Sequence, residues 1–286
     1  MPKSYSPLRY PGGKAKLYSF IKRLIEVNEL KGETYIEPFA GGSGLALKLL
    51  FKNNVRRIII NDYDPAIYSI WFSILNHCEE LCELIQNVPL SVEEWNNQKS
   101  IYLQGKKNNI VNFGFSALYL NRTNISGIIT GGIIGGIEQN GKYKIDARFN
   151  KKTLINRIQN IYAKRDQIIL KNMDAIELLS PQSLNSYRKV FIYCDPPYVK
   201  QGSKLYKNSF TESDHKALFM AMKKCKRKWL VTYDVCEFIA NTYKNYRRSI
   251  IDINYSANNS RKANEYAFYN NNMLIPKEVE IDITRN

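Results

Sequence analysis

The chain has 286 residues, of which 44% are hydrophobic, and a formal net charge of +16 at pH 7. Its length and apolar content support a sizeable core. It has no run of about 18 uncharged apolar residues to cross a membrane, and five cysteines without a Cys-x-x-Cys pair and two histidines exclude a disulfide framework and a zinc ribbon, so no metal is expected. The basic excess, with twenty tyrosines, suits phosphate contact and base stacking and makes nucleic acid the leading partner, although such charge also serves solubility.

Met1-Pro2-Lys3-Ser4-Tyr5 lacks the apolar core of a secretory signal, so a cytoplasmic location is expected, with no membrane partner. Ser6 to Lys14 reads as a turn-rich loop. Leu17, Phe20, Ile21, Leu24 and Ile25 recur at helical spacing, which predicts a helix ended by Gly32. Tyr35-Ile36-Glu37 predicts a short strand, Pro38 to Gly44 a glycine loop, and Leu45 to Phe51 a second helix. Arg57 to Asp62 reads as a buried parallel strand with an acid at its carboxyl end. Later apolar runs at Ile168-Ile169-Leu170, Val190 to Cys194 and Trp229 to Tyr233 repeat the strand signal, with helical segments between them. Thr211-x-x-Asp214 reads as a capping box, with Leu218, Phe219 and Met222 turned inward. Residues 76–165 read mainly as helices, interrupted by the glycine-rich stretch Ile125 to Gly136. Within Ile137 to Lys144, Asn140-Gly141 carries the signal of a tight β-hairpin. The expected architecture is α/β: a Rossmann-like sheet from residues 1–75 and 166–286, carrying a mainly helical insert at 76–165 that contains the hairpin.

Two segments carry chemistry. Glu37-Pro38-Phe39-Ala40-Gly41-Gly42-Ser43-Gly44 lets backbone approach a ligand closely, although alone it is also a plain strand–helix turn. Asp62 follows Gly41 by about 20 residues, the spacing of an acid that bonds a ribose hydroxyl pair. Neither Gly-x-Gly-x-x-Gly nor a Lys-Ser/Thr phosphate loop is present, so a nucleoside cofactor without phosphates fits better than a dinucleotide. Asp195-Pro196-Pro197-Tyr198 directly follows a predicted strand. Its prolines stop the chain rigidly at the sheet's carboxyl edge and remove two amide hydrogens. A carboxylate beside a free carbonyl suits an exocyclic amine, a two-hydrogen donor, and Tyr198 could stack on a base plane.

With these motifs in this order, the chain resembles the Dam-type (D12 class) DNA adenine-N6 methyltransferases of the α-group. Pro7-Leu8-Arg9-Tyr10-Pro11-Gly12-Gly13-Lys14 is similar to the family's opening motif, and Pro38-Phe39-Ala40-Gly41 to its glycine motif. Leu118-Tyr119-Leu120-Asn121-Arg122 is similar to the segment that opens its target-recognition region, and Arg261-Lys262-x-x-Glu265 to a later pattern. The resemblance implies a methyltransferase domain at 1–75 and 166–286, a target-recognition insert at 76–165, and S-adenosylmethionine as cofactor. Tyr10, Lys14, Asp62 and Asp195 would contact that cofactor, with Glu37, Phe39 and Gly41 in the loop beside it. Asp174 is a candidate near the cofactor's adenine or an N-cap for the helix through Leu178. Asp195, Pro196, Pro197 and Tyr198 would be catalytic, acting on N6 of an adenine flipped from double-stranded DNA. Asn121, Arg122, Lys142, Lys144, Arg148, Arg261 and Lys262 are candidate DNA contacts, as phosphate anchors more than base readers, or else solvated charges. A monomer is expected, and a cognate restriction endonuclease is a candidate partner. The alternatives are an RNA adenine methyltransferase and a catalytically silent nucleic-acid-binding relative. Two places depart from the family pattern. Ser43 stands where a glycine is common, and Thr130 stands near where GATC-methylating members carry a basic base reader.

Overall fold

The computed structural model describes residues 4–10, 14–105, 109–199, 210–255 and 261–277, with the backbone alone at 252–255 and 261–263. The chain divides into two compact units, one of Met1–Gly13 with Asp64–Asn172 and the other of Lys14–Tyr63 with Met173–Asn286. Among the described residues, no helix is long and apolar enough to cross a membrane.

The strands are β1 (Thr34–Glu37), β2 (Arg57–Asn61), β3 (Ile168–Lys171), β4 (Val190–Cys194), β5 (Lys228–Asp234), β6 (Arg247–Tyr255) and β7 (Arg261–Tyr269). Six of them belong to the second unit, in the order β2-β1-β4-β5-β7-β6. β1 pairs in parallel with β2 and β4, and β4 in parallel with β5. β1 and β4 are buried along their whole length. This explains the continuous apolar and aromatic run of β4, because a parallel sheet covered on both faces has no solvent side for alternate polar residues. The expected α/β, Rossmann-like sheet is therefore present. The β6–β7 pair was not legible as strands. Their charged starts, Arg247-Arg248 and Arg261-Lys262-Ala263-Asn264-Glu265, hid the alternation of Ile251 to Tyr255 and the short run Tyr266 to Tyr269. β7 runs antiparallel between β5 and β6, and Glu265 lies opposite Asp234.

Since β1, β2, β4 and β5 are parallel, their carboxyl ends share one edge, which carries Glu37, Asn61, Cys194 and Asp234. The chain leaves β1 toward β2 on one side, while β4 pairs on the other. Ligands of open α/β sheets bind at such a reversal. Asn61, fully buried, staples this edge: its Nδ2 donates to the Pro38 and Met173 carbonyls at 2.9 and 3.0 Å, and its Oδ1 accepts from the Met173 amide at 3.0 Å.

The first helix, α1 (Tyr18–Val27), follows a 3-10 turn at Lys14–Leu17. It ends at Val27, five residues before Gly32, the expected stop. There Asn28 donates its side-chain amide to the Leu24 carbonyl at 2.8 Å and Glu29 turns left-handed with φ 57°. Gly32 instead turns the chain into β1, with φ 77°. α2 (Gly44–Phe51) follows the glycine loop as expected. The capping box forms at helix Glu212–Lys224: Thr211 and Asp214 exchange bonds of 2.8 and 3.3 Å, and Leu218 and Met222 are buried. Phe219 is half-buried and packs edge-on to Tyr243 at 4.9 Å.

The other unit is helical: α3 (Pro65–Asn76), α4 (Cys78–Asn87), α5 (Val92–Gln104), α6 (Ile110–Thr123) and α7 (Lys151–Tyr162). α6 packs against α3 so closely that a Cβ at Gly114 would stand 2.5 Å from the Ser69 carbonyl oxygen. The expected hairpin at Ile137 to Lys144 is absent; this stretch forms turns leading into a 3-10 turn at Ile145–Arg148. Gly135 and Gly136 both take positive φ, 89° and 75°. The Gln139 amide donates to the Ile134 and Gly136 carbonyls and accepts from the Ile145 amide, holding these turns in place of a ladder.

Replacing Asn61 with Ala would leave the Pro38 carbonyl and both Met173 backbone groups without this partner. Each costs roughly 1–3 kcal/mol when buried. Urea unfolding should show a lower midpoint for Asn61→Ala; an unchanged midpoint would mean that the staple is redundant.

Candidate active site

The chain leaves β4 at Cys194 and meets two prolines, which cannot continue a ladder, so Asp195 sits fixed at the sheet's carboxyl edge. Its Oδ1 is held by three groups. The Tyr198 hydroxyl donates at 2.9 Å, the Thr232 hydroxyl at 3.0 Å, and the Lys14 ammonium lies at 3.3 Å. Thr232 can donate to Asp195 because the Tyr193 hydroxyl, 2.9 Å away, donates to Thr232 in turn. All three contacts fall on Oδ1. The Lys14 Nζ also donates to the Tyr198 hydroxyl at 2.6 Å and to Glu265 Oε1 at 2.9 Å, and lies 4.9 Å from the Tyr198 ring centroid. The Lys14 and Glu265 side chains are 5% and 1% exposed, whereas Asp195 keeps 23%, so Asp195 is the member that a ligand can reach.

The electrostatics follow from this packing. Burial pushes the Asp195 carboxyl above the usual carboxylate range; Lys14 opposes the shift, Glu265 adds to it, and the Tyr198 and Thr232 hydrogen bonds oppose it. One ammonium between two carboxylates leaves a net negative charge, a setting that suits a cationic or amine ligand. Val199 donates its amide to Asp234 Oδ1 at 3.2 Å, tying the segment after Tyr198 to the end of β5.

The second part of the site lies at the ends of β1 and β2. The Gly41 amide donates to Asp62 Oδ2 at 2.8 Å, and Gly41 and Ser43 take left-handed φ of 46° and 47°. Ser43 thus holds the conformation that favours glycine, where the family pattern has one. Glu37 is buried, its Oε1 accepting from the Tyr35 hydroxyl at 2.9 Å; burial raises its carboxyl to about 8 against the pull of that bond. It stands at the carboxyl end of β1, where the Asp195 carboxylate adds to the upward shift. Phe39 is half-buried and edge-on to Phe210 at 5.7 Å.

The remaining expected residues divide as follows. Tyr10 is half-buried in the helical unit. Asp174 is exposed and caps helix Ala175–Leu178, its Oδ1 accepting from the Ile176 amide at 2.7 Å. Asn121, expected at DNA, is buried: its Oδ1 accepts from the Arg9 amide, and its Nδ2 donates to the Arg9 and Gly127 carbonyls. It fixes the N-terminal segment, because an amide is the side chain that can satisfy a backbone N–H and C=O together. Arg122 is half-buried, while Lys142, Lys144 and Arg148 are exposed; Lys144 donates to the Gln139 carbonyl. The side chains of Arg261 and Lys262 lie outside the described residues. Thr232 was not foreseen as a site residue. Its signal was a lone hydroxyl in the apolar run Trp229 to Tyr233. Glu265 was seen only as part of a pattern, since nothing in a linear reading ties it to Lys14.

A family model described as D12 class N6 adenine-specific DNA methyltransferase matches residues 10–258. The type II methyltransferase M.MjaIII of Methanocaldococcus jannaschii is 25% identical over 221 residues, covering 72% of this chain and 73% of that protein. The type II methyltransferase M.CviBI of Paramecium bursaria Chlorella virus NC1A is 24% identical over 243 residues, covering 84% and 86%. Among solved structures, a putative RNA methyltransferase from Pyrococcus horikoshii overlaps 94% of this chain and 88% of its own at a TM-score of 0.43 and 9% identity.

Glu37 binds its proton more tightly folded, at about 8, than in an ordinary carboxyl at 4.5. Between those values the folded state holds more protons, so this group's stabilisation is present below 4.5 and is lost as pH rises through about 8. Glu37→Gln removes that component. Thermal unfolding at pH 5 and pH 8 should show a smaller fall for Glu37→Gln than for the wild type, and equal falls would contradict the assignment.

Proposed function

This chain belongs to the D12 class N6 adenine-specific DNA methyltransferases, and we propose that its Asp195-Pro196-Pro197-Tyr198 segment is the catalytic centre of that activity. The observation that carries the reading is the Asp195 carboxylate, clamped through Oδ1 by Lys14, Tyr198 and Thr232. It stands at the one sheet edge that also carries the Gly41–Asp62 pair. A fixed Oδ2 and the Pro196 carbonyl would accept the two N6 hydrogens of an adenine flipped out of double-stranded DNA. Accepting both turns the nitrogen lone pair out of conjugation with the ring. Tyr198, its hydroxyl already engaged, offers its ring to the base plane. Positioning and charge complementarity supply the acceleration, with no covalent enzyme intermediate required.

The methyltransferase family uses S-adenosylmethionine, and the residues present fit that group. Asp62, held by the Gly41 amide, has the chemistry to accept from a ribose hydroxyl pair. The left-handed Gly41 allows close backbone approach. The net negative Lys14, Asp195 and Glu265 cluster suits a sulfonium. When bound, the cofactor supplies an electrophilic methyl group. Lys14 opposes the burial that raises the Asp195 carboxyl, and donates to the Tyr198 hydroxyl. Tyr10, Phe39 and Asp174 remain candidates for the cofactor's surroundings.

DNA is the substrate of this family, and we assign target recognition to the helical insert at 76–165. Exposed Lys142, Lys144 and Arg148, with Arg261 and Lys262, are candidate phosphate anchors. A cytoplasmic monomer, alone or beside a cognate restriction endonuclease, is the expected context.

Labelled methyl transfer to DNA, RNA and protein tests the reading. With saturating cofactor, Asp195→Asn should lower turnover on DNA by at least about 10²-fold, the scale of losing a preorganised polar contact. Near-normal turnover would remove Asp195 from the centre. The carboxylate is the active form and burial raises its pKa, so activity should fall with decreasing pH at values above the usual carboxylate range. Lys14→Gln removes the cation that lowers this pKa, so the acidic limb of kcat/KM should move to still higher pH. A limb that stays put or moves down would contradict the clamp.

A further inference from the structure

The helical unit holds a second charged cluster, of opposite sign. Arg9 lies in the N-terminal segment, Arg122 in the last turn of α6, Arg148 at the end of the Ile145–Arg148 turn, and Arg157 in α7. Burial lowers the Arg122 guanidinium to about 9, helped by the charges of Arg9, Arg157 and Arg148, and Arg148 acts likewise on Arg9. Among the described residues, no carboxylate pairs with any of the four.

The hydrogen bonds of the cluster are sparse for groups with five N–H donors each. Arg9 Nη1 donates to the Asn124 carbonyl at 2.8 Å, Arg122 Nη1 to the Pro7 carbonyl at 3.4 Å, and Arg157 Nη1 to the Ser6 carbonyl at 3.1 Å. The Nε atoms of Arg122 and Arg157 are buried and have no partner. Arg148 is exposed, 5.6 Å from the Tyr143 ring centroid, so the cluster reaches the surface there. Clamping residues 6–9 explains single Nη1 bonds. It does not explain gathering four cations without an acid, because like charges taken from water repel and leave donors unsatisfied. A tetrahedral oxyanion would answer both, since guanidinium forks match phosphate oxygens in geometry and charge.

We propose that Arg9, Arg122, Arg148 and Arg157 form a phosphate site that takes a phosphodiester of the DNA backbone. The proposal rests on the DNA-methylating reading above and adds Arg9 and Arg157 to its contacts. It makes the site a register anchor, fixing the duplex without reading sequence.

Two measurements test it, with inorganic phosphate and a DNA duplex as probes. In thermal unfolding, phosphate should raise the wild-type midpoint saturably over chloride at matched ionic strength, and less so in Arg148→Gln and Arg157→Gln. In duplex binding by fluorescence anisotropy, the slope of log Kd against log salt should fall by up to about 1, the share of one phosphate, in Arg148→Gln and in Arg157→Gln, with Arg148→Lys keeping the wild-type slope. Arg148 is exposed, so its variants keep the fold and decide the matter even if Arg157→Gln does not. No arginine-dependent phosphate effect and an unchanged slope would reduce the cluster to a structural clamp and overturn the proposal. A phosphate effect with an unchanged slope would overturn the DNA backbone as the source and leave free phosphate. Labelled methyl transfer separates the underlying reading: if no methyl reaches DNA while the phosphate effect persists, the methylation reading fails and the anion site stands.

Discussion

The Lys14 ammonium, buried between Asp195 and Glu265, is the contact on which the sheet unit's site depends. A cation taken from water is tolerated only when its charge and all its donors are answered. Here the answers come from distant stretches of chain: the turn at the start of the unit, the segment after β4, and β7. Glu265 arrives because β7 enters antiparallel between β5 and β6, opposite the end of β5. Asp195 arrives because two prolines end β4 at its carboxyl edge. The clamp in turn fixes the Asp195 carboxylate through one oxygen, Oδ1.

Around that contact, the sheet edge is braced by side chains that replace missing backbone bonds. Asn61 joins the ends of the segments after β1 and before helix Ala175–Leu178, and the Gly41 amide rests on Asp62. Both place polar groups where parallel strands end and their ladder stops. A carboxyl edge made rigid in this way can present several acidic groups to one ligand without adjusting them on binding, the condition for electrostatic preorganisation.

Each unit holds a local charge cluster, and the two clusters differ in sign. The sheet unit's site gathers acids around one lysine, suited to a cationic cofactor and an amine. The helical unit gathers arginines with no acid among the described residues. A protein whose substrate is both a base to be held at an amine and a polyanion to be positioned needs both kinds of site.

Much of the fold was legible along the chain because parallel strands buried on both faces are mostly apolar, and β2, β4 and β5 show such runs around a few buried polar residues at the site. Asp195 to Tyr198 and the Gly41–Asp62 spacing were legible for a related reason: proline and glycine constrain the backbone locally, whatever surrounds them. The β6–β7 pair was not read as strands, because both begin with charged residues and their place depends on β5. The hairpin expected from Asn140-Gly141 did not form, since a turn signal cannot foresee that Gln139 would hold turns in place of a ladder. Nor could a linear reading tell that Asn121 faces inward, that Thr232 and Glu265 meet Asp195 and Lys14, or that Arg9 and Arg157 join Arg122. By itself the sequence determined where backbone must be apolar, rigid or sharply turned, because those are local properties of residue types. Only the tertiary structure decided which charges meet, because a buried charge takes its role from partners far along the chain.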